Sequence, residues 1–215
     1  RGVSHDSETL GPSEAGCRLF LISPPRLVAA TFAERLDAAL AVGRAAGFLL
    51  RLEASDHSSF AEAAARLRAV CAARAVAFLI QAEVERALEL AADGVHLVDA
   101  RAVASARATL GPERLLGVTC GASRHLAMVA GEAGADYIAF GDPGRPPDAR
   151  TIELIRWWSG LFVLPCLAES DNDAGTCGQL VRAGADFVGV SRAVWKHPIG
   201  AAEGITAMRL ALAGT

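Results

Sequence analysis

One pattern is written four times along this chain: Ala45-Ala-Gly-Phe-Leu-Leu-Arg-Leu52, Ala91-Ala-Asp-Gly-Val-His-Leu97, Ala133-Gly-Ala-Asp-Tyr-Ile-Ala-Phe140 and Ala183-Gly-Ala-Asp-Phe-Val-Gly-Val190. Each copy is a helix end, a small or glycine turn, and a short apolar strand. The residues that open these strands, Phe48, Gly94, Tyr137 and Phe187, stand 46, 43 and 50 residues apart. One strand–helix unit with short loops needs roughly 30 residues or fewer, so a period of about 45 holds two units. Four double units make eight strands and eight helices, the count of a (β/α)8 barrel.

The chain between the copies supplies the missing elements. Strands are predicted at Arg18–Ile22, Phe48–Leu52, Ala77–Ile80, Gly94–Leu97, Leu115–Thr119, Tyr137–Phe140, Phe162–Cys166 and Phe187–Val190. Helical spacing of apolar residues predicts helices over Phe32–Ala46, Phe60–Arg74 and Ala201–Ala213. The strands are unbroken apolar runs, the pattern of parallel strands covered on both faces. A flavodoxin-like open sheet is the alternative, but it would use five or six strands. The barrel is predicted to fill 18–215, and the polar stretch 1–17 reads as a flexible N-terminal extension without the apolar core of a signal peptide.

Composition excludes several classes. With 215 residues, 52% of them hydrophobic, and a net charge of −3, the chain suits one soluble domain with a full core. No apolar run reaches the ~18 residues of a membrane span, and no basic patch suggests nucleic acid. The five cysteines show no CxxC spacing, so neither a zinc site nor a disulfide framework is encoded, and a reduced cytoplasmic setting is expected. Cys120, at the end of strand 5, is the one with a place near a site.

Barrel chemistry sits at the carboxyl ends of the strands. There the sequence places Ser23, Arg51 and Glu53, Gln81, His96 and Asp99, Thr119 and Cys120, Asp142, Glu169 and Asp171, and Ser191 and Arg192. Strand alternation puts Leu49, Arg51 and Glu53 on one face, with the polar end toward the barrel mouth.

This order of landmarks resembles the thiamine phosphate synthase family. The resemblance covers about Arg18 to Pro198 and rests on Arg51, the Ala-Asp-Gly-Val-His-Leu97 stretch, Gly117-Val-Thr119, Ala-Gly-Ala-Asp-Tyr137, and the Ala-Gly-Ala-Asp186 turn followed by Val190-Ser191. It implies a magnesium-assisted joining of hydroxymethylpyrimidine diphosphate to a thiazole phosphate, with pyrophosphate released. The related thiazole tautomerase branch uses a histidine after strand 5, where Gly121 stands.

Carried over position by position, most of the family's kit is replaced. Gln-Leu-Arg-x-Lys on strand 2 is Leu49-Leu50-Arg51-Leu52-Glu53. The two aspartates that the resemblance implies for magnesium fall on Ala82 and Arg101, so no metal site is expected. The Thr-Pro-Thr-Lys loop is Asp142-Pro-Gly-Arg-Pro-Pro147, and the Gly-Gly turn after strand 7 is Ala168-Glu169-Ser170-Asp171. An acidic turn there repels phosphate. A metal-free clamp of Arg51, Arg101 and Arg145 is one way to compensate; the other reading leaves Arg101 and Arg145 as solvated surface charges.

The candidate ligand-binding residues are Arg51, Gln81, His96, Thr119, Gly189 and Ser191, with no catalytic residue assigned. Arg51 faces either a ligand anion or a structural partner in Glu53. His96 reads as a hydrogen-bonded core histidine or as an acid–base group. Gly189 and Ser191 offer backbone N–H groups to a phosphate, or Ser191 is a plain helix N-cap. Two functions follow. One is a diverged enzyme of the thiamine pathway that binds a phosphorylated pyrimidine- or thiazole-type metabolite at the carboxyl end of the barrel and still joins or processes such precursors, though not with the family's ordinary kit. The other is a catalytically silent paralogue that binds a small metabolite or a protein partner. Trp157 and Trp158, adjacent on one helix, cannot both face the core, so one sits at a subunit contact of a homodimer or on the barrel wall.

Overall fold

The computed structural model describes residues 16–43, 45–53 and 57–214. Eight parallel strands close into one barrel in chain order: β1 (Arg18–Ile22), β2 (Gly47–Leu50), β3 (Ala77–Ile80), β4 (Gly94–Leu97), β5 (Leu115–Gly121), β6 (Tyr137–Phe140), β7 (Cys166–Ala168) and β8 (Phe187–Val190), with β8 paired back to β1. The helices are α1 (Ala29–Val42), α2 (His57–Ala73), α3 (Val84–Glu89), α4 (Val103–Leu110), α5 (Arg124–Glu132), α6 (Ala149–Ser159), α7 (Ala174–Ala183), α8 (Arg192–Trp195) and α9 (Ala201–Ala213). The (β/α)8 expectation holds and the open sheet is excluded. Of the expected N-terminal extension, residues 1–15 lie outside the described residues. Among the described residues no helix is long and apolar enough to cross a membrane.

The repeat has a physical cause. In three copies the aspartate before the strand reaches back to a backbone N–H of the preceding strand. Asp93 accepts from Phe78 N at 2.8 Å, Asp136 from Leu116 N at 2.7 Å, and Asp186 from Cys166 N at 2.8 Å. Each carboxylate thereby ties an even-numbered strand to its odd-numbered neighbour, satisfying a donor at the amino end of the barrel. Asp136 also takes Arg107 Nη2 at 2.6 Å. The first copy has no aspartate, and its turn is made by Ala45 and Ala46.

Alternate strand residues fill the barrel: Phe20 and Ile22, Leu49, Ala77 and Leu79, Tyr137 and Ala139, Leu167, and Phe187 form one interior cluster. Outward residues join the larger helix-covered layer, as with Phe48, Phe78, Ile138 and Val188. Gly117 is required where it stands. A Cβ there would lie 2.0 Å from Cζ of Tyr137, so the glycine gives the phenol ring its path across the barrel.

Several boundaries differ from those predicted. β2 ends at Leu50, so Arg51 lies just beyond the strand. α1 runs Ala29–Val42, α2 His57–Ala73, and β5 continues to Gly121. The largest correction is β7, which is Cys166–Ala168 rather than Phe162–Cys166. The apolar residues before it serve the outer layer. Phe162 stacks on Trp158 with centroids 4.1 Å apart, Trp158 Nε1 donates to Leu164 O at 2.7 Å, and Val163 is 92% exposed. Trp158 is the buried member of the tryptophan pair. Trp157 lies on the barrel wall, edge-on to Phe162 and beneath the Arg124 guanidinium.

Candidate functional site

At the carboxyl end of β1, Ser23 is buried, and its hydroxyl donates to Arg51 O at 2.8 Å while accepting from Arg51 N at 2.9 Å. This two-way bond fixes the backbone of Arg51 and sends its side chain inward. The guanidinium donates through Nε to Gln81 Oε1, beyond β3, and through Nη2 to Glu169 Oε1, beyond β7. Glu169 is fully buried, and Arg51 keeps 17% of its side chain exposed. Thr119, near the end of β5, donates to Glu169 Oε2 at 2.6 Å. His96 of β4 lies with Nε2 2.9 Å from Thr119 Oγ1 and Nδ1 2.8 Å from the Tyr137 hydroxyl.

The direction of these bonds follows from proton counting. The single hydroxyl proton of Thr119 goes to Glu169, so Oγ1 meets His96 with a lone pair and Nε2 must carry a hydrogen. Burial, with Glu169 nearby adding to it, pushes the Tyr137 phenol well above its ordinary range, so it keeps its proton. Its donation to Nδ1 is the arrangement that satisfies every member. The chain of donors runs Tyr137 to His96 to Thr119 to Glu169, with Arg51 arriving from the other side. Burial alone would raise the Glu169 carboxyl. The Nε2–H edge of His96, the Arg51 charge and the Thr119 hydroxyl oppose it and hold the group below the ordinary carboxylate range.

Three of the six candidate residues, Arg51, His96 and Thr119, thus face one carboxylate, and a fourth, Gln81, is tied to it through Arg51. His96 is the hydrogen-bonded barrel histidine of the first reading, with both ring nitrogens engaged. Arg51 does have a structural partner, but it is not Glu53. That side chain turns outward to Arg26 at 2.8 Å, where both are exposed, because β2 has already ended and strand alternation no longer applies. The acidic turn after β7, read as a repellent, instead supplies the counter-charge of Arg51.

Gly189 and Ser191 stand apart from this cluster. Gly189 belongs to β8, and its carbonyl accepts Asn172 Nδ2 at 2.9 Å. Ser191 precedes α8 but does not cap it with its side chain, correcting the N-cap reading; the hydroxyl donates to Ser23 O at 3.3 Å. Both residues hold the end of β8 against its neighbours. The three-arginine clamp does not form. Arg101 is bound to Asp99 through Nε at 3.0 Å, Arg145 lies 3.3 Å from Asp142, and both are about four-fifths exposed. Burial pushes the Cys120 thiol up to about 12, which removes it as a nucleophile.

The residues do not fit the magnesium ion implied by the family resemblance. Ala82 and Arg101 bring no carboxylate, and Asp99 is occupied by Arg101 through its backbone N–H and its guanidinium. Among the described residues no group of three His, Cys, Asp or Glu is placed to hold a metal ion. A cavity of about 490 Å³ lies between the ends of β3 and β4 and helices α3 and α4; it meets the cluster at Gln81 and His96, while Arg51, Thr119 and Glu169 are not in its wall.

Tyr137 is the site residue that sequence reasoning missed; Glu169 stands in the predicted crown, but as a repellent of phosphate rather than as the partner of Arg51. Had β7 been placed at Cys166–Ala168, alternation from the inward Leu167 would have carried Glu169 into the barrel.

Comparison with known proteins covers the same stretch. A family described as "Thiamine monophosphate synthase" matches residues 19–194. A thiamine-phosphate synthase of Erythrobacter litoralis is 44% identical over 197 residues, spanning 86% of this chain and 92% of the relative. One of Rhodospirillum centenum is 40% identical over 195 residues, spanning 88% and 94%. Among solved structures, a thiamine phosphate pyrophosphorylase from Pyrococcus furiosus superposes with a TM-score of 0.78 at 23% identity, over 92% of this chain and 96% of that one.

Proposed function

Since the chain belongs to the thiamine monophosphate synthase family, we propose that it serves thiamine biosynthesis by binding a phosphorylated pyrimidine- or thiazole-type metabolite at the carboxyl end of the barrel, without ordinary metal-assisted synthase turnover. The observation that carries this reading is the pairing of Arg51 and Thr119 with the buried Glu169, with Gln81 held by Arg51, at the carboxyl ends of the strands; a cavity of a size suited to a small ligand adjoins the cluster at Gln81 and His96. Arg51, Gln81 and Thr119 each keep some exposure, so they are the members of the cluster able to touch a ligand; His96, Tyr137 and Glu169 orient them from below.

Departure of pyrophosphate requires matched positive charge in a low-dielectric mouth. Here the inward arginine of the carboxyl-end cluster, Arg51, is already paired with Glu169. Ala82 and Arg101 stand where the resemblance implies metal carboxylates, which also favours the second reading, a silent barrel that binds a metabolite without transforming it.

The test is direct. Purified protein is incubated with hydroxymethylpyrimidine diphosphate, thiazole phosphate and Mg²⁺ beside an active synthase, and thiamine phosphate is sought by chromatography. No product above the uncatalysed background is expected, whereas thiazole phosphate alone should raise the thermal midpoint. Product formation would refute the loss of turnover, and the absence of any midpoint shift would refute ligand binding.

A further inference from the structure

The Arg51–Glu169 pair is an unusual thing to find at the mouth of a phosphate-handling barrel. Arg51 is the inward cation of the cluster, with its backbone clamped by Ser23 and its Nε spent on Gln81. Its Nη2 is met by a carboxylate from the same chain. Glu169 has no freedom to leave. Oε2 is held by Thr119, Oε1 faces both Arg51 and the Nε2 edge of His96 at 3.6 Å, and its backbone N–H donates to Phe140 O at 2.8 Å. The carboxylate therefore sits where an incoming anion would have to sit in order to use this arginine.

We propose that Glu169 is a specificity-determining residue: by occupying the anion seat of Arg51 from within the chain, it excludes a diphosphate group from this part of the mouth and leaves it to ligands bearing a single phosphate or a neutral group there. A diphosphate would place about three negative charges a few ångströms from a fixed carboxylate whose nearby full positive charge among the described residues, Arg51, is already matched, and like charges at that distance repel strongly away from bulk water. The other inward groups, Gln81, Thr119, His96 and Tyr137, offer dipoles alone. Arg101, Arg145 and Arg192 are engaged by Asp99, Asp142 and Asp171 on the loops outside.

This inference rests on the reading that ligands enter at the carboxyl end, but its test does not need the natural ligand. Sodium pyrophosphate, without metal, is titrated calorimetrically into the parent protein, Glu169→Gln, and the double variant Arg51→Gln/Glu169→Gln. Glutamine keeps the shape of Glu169 while removing its charge; its amide oxygen can accept from Arg51, and its N–H can donate to the Thr119 hydroxyl in place of the bond that Oε2 accepts. Glu169→Gln is expected to bind pyrophosphate about tenfold or more tighter than the parent, and the double variant to lose that gain. Equal affinities in the parent and Glu169→Gln would overturn the proposal. So would a gain that survives the loss of Arg51. If Glu169→Gln does not fold, Glu169→Ser makes the same change in charge and is judged by the same criterion. Failure of the parent to bind thiazole phosphate would refute the proposed function and leave the pyrophosphate result standing by itself.

Discussion

Removing one oxygen atom from the barrel interior tests the donor chain most sharply. Tyr137 and His96 are both fully buried, with the phenol 2.8 Å from Nδ1. In Tyr137→Phe the ring remains in the space that Gly117 leaves for it, so packing is preserved and only the hydroxyl goes. The Nδ1 lone pair then faces an apolar barrel with no donor. An unmatched buried acceptor costs about 1–3 kcal/mol, which for a domain of this size is a midpoint fall of between about 2 and 12 °C. Urea and thermal denaturation followed by circular dichroism would measure it. Adding His96→Leu removes the orphaned nitrogen, so the double variant should lose less than the sum of the two single changes, with a coupling of about 0.5–3 kcal/mol. Nitrogen NMR of the parent should place the imidazole hydrogen on Nε2. A Tyr137→Phe protein within about 0.5 kcal/mol of the parent, with additive energies, would refute the bond and the direction assigned to it.

Gly117→Ala should be far more damaging, because its Cβ would fall 2.0 Å from Cζ and 2.3 Å from the hydroxyl of Tyr137. A loss of about 3 kcal/mol or more is expected, read as a lowered urea midpoint or as insoluble protein; an unchanged midpoint would contradict the packing described. Acid should weaken the Glu169 cluster. Its carboxyl is held below the ordinary 4.5 in the folded protein, so the stabilisation is complete above about 4.5 and is lost as pH falls through the lowered folded value. The stability advantage of the parent over Glu169→Gln should therefore be present at neutral pH and shrink below pH 4.5, and an advantage that grows in acid would show the sign to be wrong.

The architecture was legible in the sequence because it is periodic. Four Ala-rich turns about 45 residues apart, each opening an apolar run, specify eight strands whatever the loops do; β1, β3, β4, β6 and β8 match their predicted ends, β2 and β5 fall within two residues of theirs, and β7 departs most. The inward placement of Arg51, Gln81, His96 and Thr119 was legible for the same reason, since alternation along a strand is a local property. Local pattern failed where an apolar residue had two places to go. Phe162 and Leu164 look like strand residues, yet Trp158 draws them onto the outer wall, and β7 starts later than its hydropathy suggests. That shift decides the site, because it brings Glu169 to the inner face.

What only the tertiary structure decided is therefore the partner of Arg51. The sequence offered Glu53, two residues away; the barrel supplies Glu169, 118 residues along the chain. A closed sheet brings the ends of β2, β3, β4, β5 and β7 around one small axis, where a buried charge must be matched by whatever carboxylate the strands aim inward. Spacing along a strand determines which residues face that axis, and closure of the barrel determines which of them meet.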